Sequence, residues 1–231
     1  MSLKFLQTNF FVIHELNQQI RRFSQLSTGD KDTYLDIGSG SSNNYFHYFS
    51  EANLINLDLN GIFHYEPLNN RRRLIFDGHH IPIKSSSIDF ILCIQSIYQA
   101  DDFNLLFDEI FRVLKRGGHF LITVPFVWFD SNQNMERRYS IRYLTSLLMD
   151  KNLIISDVKY LNTGFEALII LFQKLIFNHF INVHLKNKYL KLFAHTTLSL
   201  CGNILILILR QFQKLNTNLY LNISIQGVKK I

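Results

Sequence analysis

Apolar and polar positions along the first 165 residues follow two alternating periods. Short apolar runs at TYLDI (33–37), NLINLDLN (53–60), RLIF (73–76), SIDFILCI (87–94) and HFLITVPF (119–126) have the length of strands. The runs at 87–94 and 119–126 are nearly unbroken, as in strands buried on both faces of a parallel sheet. Between them, FNLLFDEIFRVLKRGG puts apolar residues at 103, 106, 107, 110, 111 and 114, which is one face of a helix. Lys115, Arg116 and the two glycines after them read as that helix's end. SIRYLTSLLMD (140–150) predicts a further helix, LIISDVKYL (153–161) a sixth strand and LNISIQGVKK (221–230) a last one. The start, MSLKFLQTNFFVIHELNQQI, mixes Lys4, His14 and Glu15 into its apolar positions, which predicts an amphipathic helix rather than a signal peptide. Strands alternating with helices imply right-handed crossovers and an α/β fold with a covered parallel sheet.

Composition narrows the class. With 231 residues, 47% of them hydrophobic and 18% charged, the chain suits one well-cored domain and argues against disorder. Cys93 and Cys201 sit in apolar runs without metal-ligand spacing, so they are expected to be reduced core residues of a cytoplasmic protein, with no metal site. Charge is unevenly placed. Eight basic residues and no acidic one follow Glu166, so the formal net charge of +6 belongs to the C-terminal third. Such asymmetry is a partner signal.

The chemistry begins at YLDIGSGSS (34–42), where Asp36 closes a strand and Gly38 and Gly40 open a turn. Two positions without a Cβ suggest close approach to the main chain. A phosphate-cradling G-x-x-x-x-G-K-[ST] is absent, and a dinucleotide fingerprint would need glycine where Asn43 stands. A nucleoside ligand without phosphates remains, beside the plainer reading of an ordinary tight turn. Asp58, 22 residues after Asp36, ends the second strand near the offset expected of a ribose-binding acid.

FDGHHIPIKSSSIDFILCIQSIYQ (76–99) and EIFRVLKRGGHFLITVPF (109–126) extend the pattern. Together with the glycine turn they resemble the class I S-adenosylmethionine-dependent methyltransferases. The likeness is to the type 11-like subgroup with D-x-G-x-G, D-A-x-x-L-P-F-x-x-x-S-F-D and E-x-x-R-V-L-K-P-G-G motifs, and it runs from about Tyr34 to Leu161. It implies a Rossmann-like, doubly wound seven-stranded sheet, mostly parallel with a last antiparallel strand. The whole chain, 1–231, would be a single domain with a helical apolar and basic insertion at 167–216. At matched positions the resemblance implies that Asp36, Gly38 and Gly40 line the methionine and ribose part of S-adenosyl-L-methionine. Asp58 would hold the ribose hydroxyls, Leu59 would lie on the adenine face, and Asp77 with the Gly78 main chain would meet the adenine edge. Gln95 would lie near the methyl donor. His79 and His80 read as exposed loop histidines, and no catalytic base is named. Tyr98-Gln99 stands where an acid–histidine pair often follows the fourth strand. That departure keeps open a non-catalytic cofactor-binding or scaffold protein.

The segment MERRYSIRYLTSLLMDKNL (135–153) is similar to the D-x-x-R-[YF]-T segment of bacterial methyltransferases associated with polysaccharide and glycan synthesis. This implies a sugar or lipid-linked glycan acceptor contacted by Arg138 and Tyr139. Within 167–216, LFAHTTLSLCGNILILIL (192–209) is uncharged but carries His195, Thr196, Thr197, Ser199 and Asn203. Spanning a membrane would part the last strand from its sheet. Two readings stay open for this segment: a peripheral contact with the inner membrane face, or packing on the domain or on a second subunit. Nucleic acid is disfavoured, because no arginine-rich or stacking-aromatic pattern is present.

Overall fold

The computed structural model describes residues 7, 9–40, 45–49, 53–59, 72–77, 79–97, 100, 102–126, 140–211 and 219–230. Its elements are α1 (Phe10–Ser24), β1 (Tyr34–Ile37), a short 3-10 turn (Phe46–Tyr48), β2 (Leu54–Leu59), β3 (Arg72–Phe76), β4 (Ile88–Ile94), α2 (Phe103–Val113) and β5 (Leu114–Pro125). After these come α3 (Ile141–Asp150), β6 (Leu153–Thr163), α4 (Phe165–Ile176), a π-helical turn (Phe177–Ile181), α5 (Asn182–His184), α6 (Lys188–Arg210) and β7 (Tyr220–Lys229). The seven strands form one sheet in the order β3-β2-β1-β4-β5-β7-β6. Neighbours from β3 to β5 are parallel, and β7 is antiparallel. The expected Rossmann-like sheet is therefore present. The order reverses between β1 and β4, and such a reversal opens a crevice at the carboxyl ends of the strands.

The chain divides into two compact units. The sheet unit holds Asn17–Phe126, residues 140–159 and the chain from Ile223 onward. Its core joins Ile20 and Phe23 of α1 to Tyr34, Leu54, Phe90, Leu92 and Leu121 on four neighbouring strands. Asp89, at the start of β4, accepts from the Thr33 N–H at 2.9 Å and the Thr33 hydroxyl at 2.8 Å. The Lys115 Nζ lies 2.8 Å from both Asp89 carboxylate oxygens. One aspartate thus ties the start of β1 to the start of β5.

α2 ends at Val113, one residue before the last apolar position of its pattern. Lys115 and Arg116 lie in β5, where the register slips between the Ile88–Leu114 and Phe90–His119 pairs. The helix's last carbonyls are met instead by Lys229 of β7, whose Nζ donates to Phe111 O at 2.7 Å and Leu114 O at 2.8 Å. Its Nζ also sits 4.0 Å from the Phe111 ring centroid. A cation at the helix C-terminus is what the dipole favours, but it comes from the far end of the chain.

The helical unit holds the chain up to Leu16 and Tyr160–Asn222. Phe11, Val12 and Leu16 pack with Leu161, Ala167, Ile170, Ile206 and Leu221. Beside this core lies a buried polar cluster. Arg210 reaches both carboxylate oxygens of Glu166 and one of Glu15, at 2.9–3.1 Å. Glu166 also accepts from the Asn162 side-chain amide, at 2.8 Å. Glu166 is 4% exposed. Removing the cation would strand a desolvated carboxylate. Arg210→Met is expected to cost about 3–5 kcal/mol in chemical denaturation. The double variant with Glu166→Gln should recover part of that loss.

Candidate functional site

The carboxyl ends of β1 to β4 surround a cavity of about 160 Å³ lined by Ile37, Gly38, Asp58, Leu59, Phe76, Asp77, Cys93, Ser96, Ile97, Ala100 and Leu106. Register explains the grouping. Ile37 pairs with Leu57, and Leu59 with Phe76, so Asp58 and Asp77 emerge at adjacent strand tips.

Seven of the ten sequence-predicted residues lie among the described ones. Asp36 is fully buried and accepts from the Tyr45 hydroxyl at 2.9 Å, beneath the cavity rather than in its wall. Burial and the adjacent Asp36 carboxylate push the Tyr45 hydroxyl's pKa well above its usual value. Gly38 and Gly40 have φ of +70° and +63°. At Gly38 the close approach comes from the protein itself: a Cβ there would lie 2.3 Å from the Ser96 Cβ. Ser96 in turn donates to Ile37 O at 2.7 Å. The Asp58 side chain, on a residue only 5% exposed, accepts from the N–H of Gly40 at 2.5 Å and of Leu59 at 2.8 Å. Leu59 is exposed at the strand tip.

Asp77 lines the cavity and also starts a turn, its Oδ1 accepting from the N–H groups of His79 and His80 at 2.8 Å each. These main-chain donors, His80 first, hold its carboxyl below the usual range. Gln95 is turned away from the cavity. Its N–H donates to Thr123 O and its Nε2 to Thr123 Oγ1, on a backbone with φ of +54°. Gly78, Arg138 and Tyr139 lie outside the described residues.

The sequence did not single out Phe76, Ser96, Ile97, Ala100 or Leu106. Ser96 follows Gln95 at the end of β4, and its position was the available signal. Cys93 lines the cavity as an inert thiol, since burial pushes its pKa up to about 12. Cys201 departs from the core expectation and is exposed.

The loop between β3 and β4 is held by α2. Glu109 Oε2 accepts from the Ile81 N–H at 2.7 Å and lies 2.9 Å from His80 Nδ1. Arg112 makes a two-point contact with Glu109, at 2.6 and 2.8 Å. It also donates to Ile81 O and Ile83 O, both at 2.8 Å. The E-x-x-R pair thus fixes the loop that carries Asp77's hydrogen-bond donors.

Residues 35–122 match the methyltransferase domain family. The matched residues run from β1 into β5 and include every residue that lines the cavity. Solved structures with the same fold include phosphoethanolamine N-methyltransferase 2 of Haemonchus contortus, in complex with phosphomonomethylethanolamine and S-adenosylhomocysteine. It matches at TM-score 0.59 and 17% identity over 97% of this chain and 58% of that one. The chain therefore spans 58% of that enzyme's length. The YcgJ protein of Bacillus subtilis matches at TM-score 0.54 and 18% identity, over 94% of this chain and 99% of that one. Geranyl diphosphate C-methyltransferase of Streptomyces coelicolor, solved with Mg2+, geranyl diphosphate and S-adenosylhomocysteine, matches at 0.58 and 12%, over 94% and 77%. No curated protein matches in sequence.

Two outcomes test the architecture around the cavity. Gly38→Ala is expected to cost about 1–3 kcal/mol in denaturation, from positive φ and the Ser96 contact together. Adding Ser96→Gly should return the steric share and leave the φ share. The Arg112 hydrogen bonds, against burial, hold the Glu109 carboxyl below its ordinary 4.5. A lowered folded pKa gives stability that is present above the unfolded value and lost as pH falls through the folded one. Melting temperature should therefore fall below about pH 4.5, and Glu109→Gln should flatten that acid limb.

Proposed function

We propose that the protein transfers a methyl group from S-adenosylmethionine to a small-molecule or glycan acceptor, specifically a sugar or lipid-linked glycan. The proposed setting is the cytoplasmic face of a membrane, and the architecture is one methyltransferase domain over 1–231 with 167–216 as its insertion. The observation that carries the reading is the pair of carboxylates, Asp58 and Asp77, at adjacent strand tips of one cavity. The donor set suits an adenosyl group. Asp58 would exchange its two main-chain donors for the ribose diol, and Leu59 and Phe76 would cover the adenine faces. Asp77, with one oxygen committed to the turn, would accept from the adenine amino group with the other. Gly78 would complete that edge. Asp36, braced by Tyr45, would support the turn from Gly38 to Gly40, which meets the methionine part.

S-adenosylmethionine supplies a methyl already activated on a sulfonium. The protein's task is then to orient donor and acceptor and to exclude water. Among the described residues no histidine lines the cavity. Gln95 would act by fixing the β4 tip to Thr123 rather than by touching the donor. Arg138 and Tyr139, in the Arg-Tyr-Ser segment, would meet the acceptor's hydroxyls or an anionic group on it. The small-molecule ligands named for the Haemonchus and Streptomyces enzymes support an acceptor of small-molecule size.

Calorimetry with S-adenosylmethionine and S-adenosylhomocysteine should show both bind, and Asp58→Ala should weaken each by at least about tenfold. Equal affinity for the variant would overturn the site. Methyl transfer to one member of a nucleotide-sugar panel is the expected activity. Cofactor binding without turnover on any member would return the protein to the non-catalytic reading.

A further inference from the structure

The two long helices of the helical unit bury several polar side chains and leave many large apolar ones outside. Of the seven buried positions on α4 and α6, four are polar, Glu166, Gln173, Ser199 and Asn203, beside Ala167, Ile170 and Ile206. Gln173 Nε2 donates to Leu198 O at 3.0 Å and Ser199 O at 3.3 Å. Gly202 admits that amide, since a Cβ on Gly202 would lie 1.9 Å from it. Outside stand large apolar side chains, among them Leu168, Phe172, Phe180, Phe193, Leu205 and Ile208, with Phe172 61% and Phe193 68% exposed. An apolar groove of about 560 Å³ runs between the helices beside Gln173 and Gly202. Small and polar residues at a helix contact, with apolar ones facing out, is the arrangement helices adopt in lipid, where apolar burial against each other gains nothing. Contiguous exposed apolar surface of this kind marks a site of contact with a partner or a membrane.

Length and charge point the same way. Phe165–His184 and Lys188–Arg210, of 20 and 23 residues, are each long and apolar enough to cross a membrane. They are joined by three residues, so the chain that enters lipid also returns. Lys186 and Lys188 are exposed at the tip, Lys191 follows one turn on, and no acidic residue follows Glu166. A crossing would carry this basic tip to the far side, against the usual bias of lysine, and would draw Lys174 into the hydrocarbon. Lying in one leaflet leaves each lysine within reach of the head groups.

We propose that α4 and α6 form a hairpin that embeds sideways in one leaflet of an anionic membrane. Its outward apolar side chains enter the acyl region, and its lysines meet the lipid phosphates. This deepens the membrane-face part of the proposed function without drawing on methyl transfer, so a readout free of cofactor can fail on its own.

Cys201 lies on the groove wall and is exposed, whereas Cys93 is buried, so a maleimide reads one native thiol. The full chain is mixed with phosphatidylglycerol-containing vesicles or with pure phosphatidylcholine vesicles, at low and high salt. On anionic vesicles the chain should float, and Cys201 labelling should slow by about tenfold. Phe172→Ser with Leu205→Ser should lose both effects, with circular dichroism and melting unchanged. Lys186→Glu with Lys188→Glu should weaken flotation without altering the fold. Failure to float with anionic vesicles would overturn the proposal. So would Cys201 protection without vesicles in a species of dimer mass, which would assign the face to a second copy. A tip cleaved by protease only from the vesicle interior would replace the one-leaflet arrangement with a spanning one.

Discussion

Ser96 occupies the space that a side chain on residue 38 would fill, and the cavity depends on that contact. β1 and β4 are neighbours at the point where the strand order reverses, so their tips must part enough to open a crevice yet stay close enough to share it. The Ser96 hydroxyl, bonded to Ile37 O, fixes the spacing. Gly38 meets it with a positive φ that turns its own N–H and that of Ser39 onto Leu57 O of β2. Three strand tips are therefore set by two residues. Asp58 extends the arrangement by accepting from Gly40, so the turn's second glycine is positioned by the acid proposed to grip the ribose.

A second layer of residues holds this edge in place from outside. Asp89 ties Thr33 to Lys115 at the opposite end of the same strands, and Glu109 with Arg112 pins the loop after β3. These are the charged members of the stretches that carry the sequence resemblance, and their work is architectural. The methyltransferase motif from Glu109 onward thus reports how a loop is braced against a helix. Its side chains brace the scaffold, so the likeness over 35–122 bears on the framework of the cavity and not on an acceptor.

The central strands were legible because each holds a short apolar run that is largely buried, so period and burial agree. The positions of Asp58 and Asp77 at adjacent strand tips were legible because strand tips follow from strand ends. What escaped the sequence depends on distant residues meeting. Lys115 and Arg116 look like a helix terminus by position, yet Lys229, more than a hundred residues on, takes the carbonyls of Phe111 and Leu114, leaving Lys115 for Asp89. Gln95 looks like a cavity residue because it ends β4, but Thr123 on the neighbouring strand captures its amide and leaves the next residue to line the wall. Tyr45's hold on Asp36 has no local pattern at all. A pairing of this kind can be seen only once the sheet is assembled.

The helical unit fails differently. Its helices are apolar on most sides, so periodicity does not identify an inner face, and an uncharged stretch at 192–209 suits a core, a subunit contact or lipid equally. What separates these is which side chains turn inward, and here amides, a hydroxyl and the Glu166–Arg210 pair join Ala167, Ile170 and Ile206 there. A helix pair held in water by apolar burial would have put Phe172 and Leu205 between the helices and Gln173 and Ser199 outside. With the positions exchanged, the contact rests on side-chain amides that reach main-chain carbonyls, Gln173 to Leu198 O and Ser199 O and Asn203 to Gln7 O, and the apolar area is left to whatever medium surrounds it. Water offers that area no gain. Acyl chains do, and they leave the polar contact intact because its groups are already turned away from them.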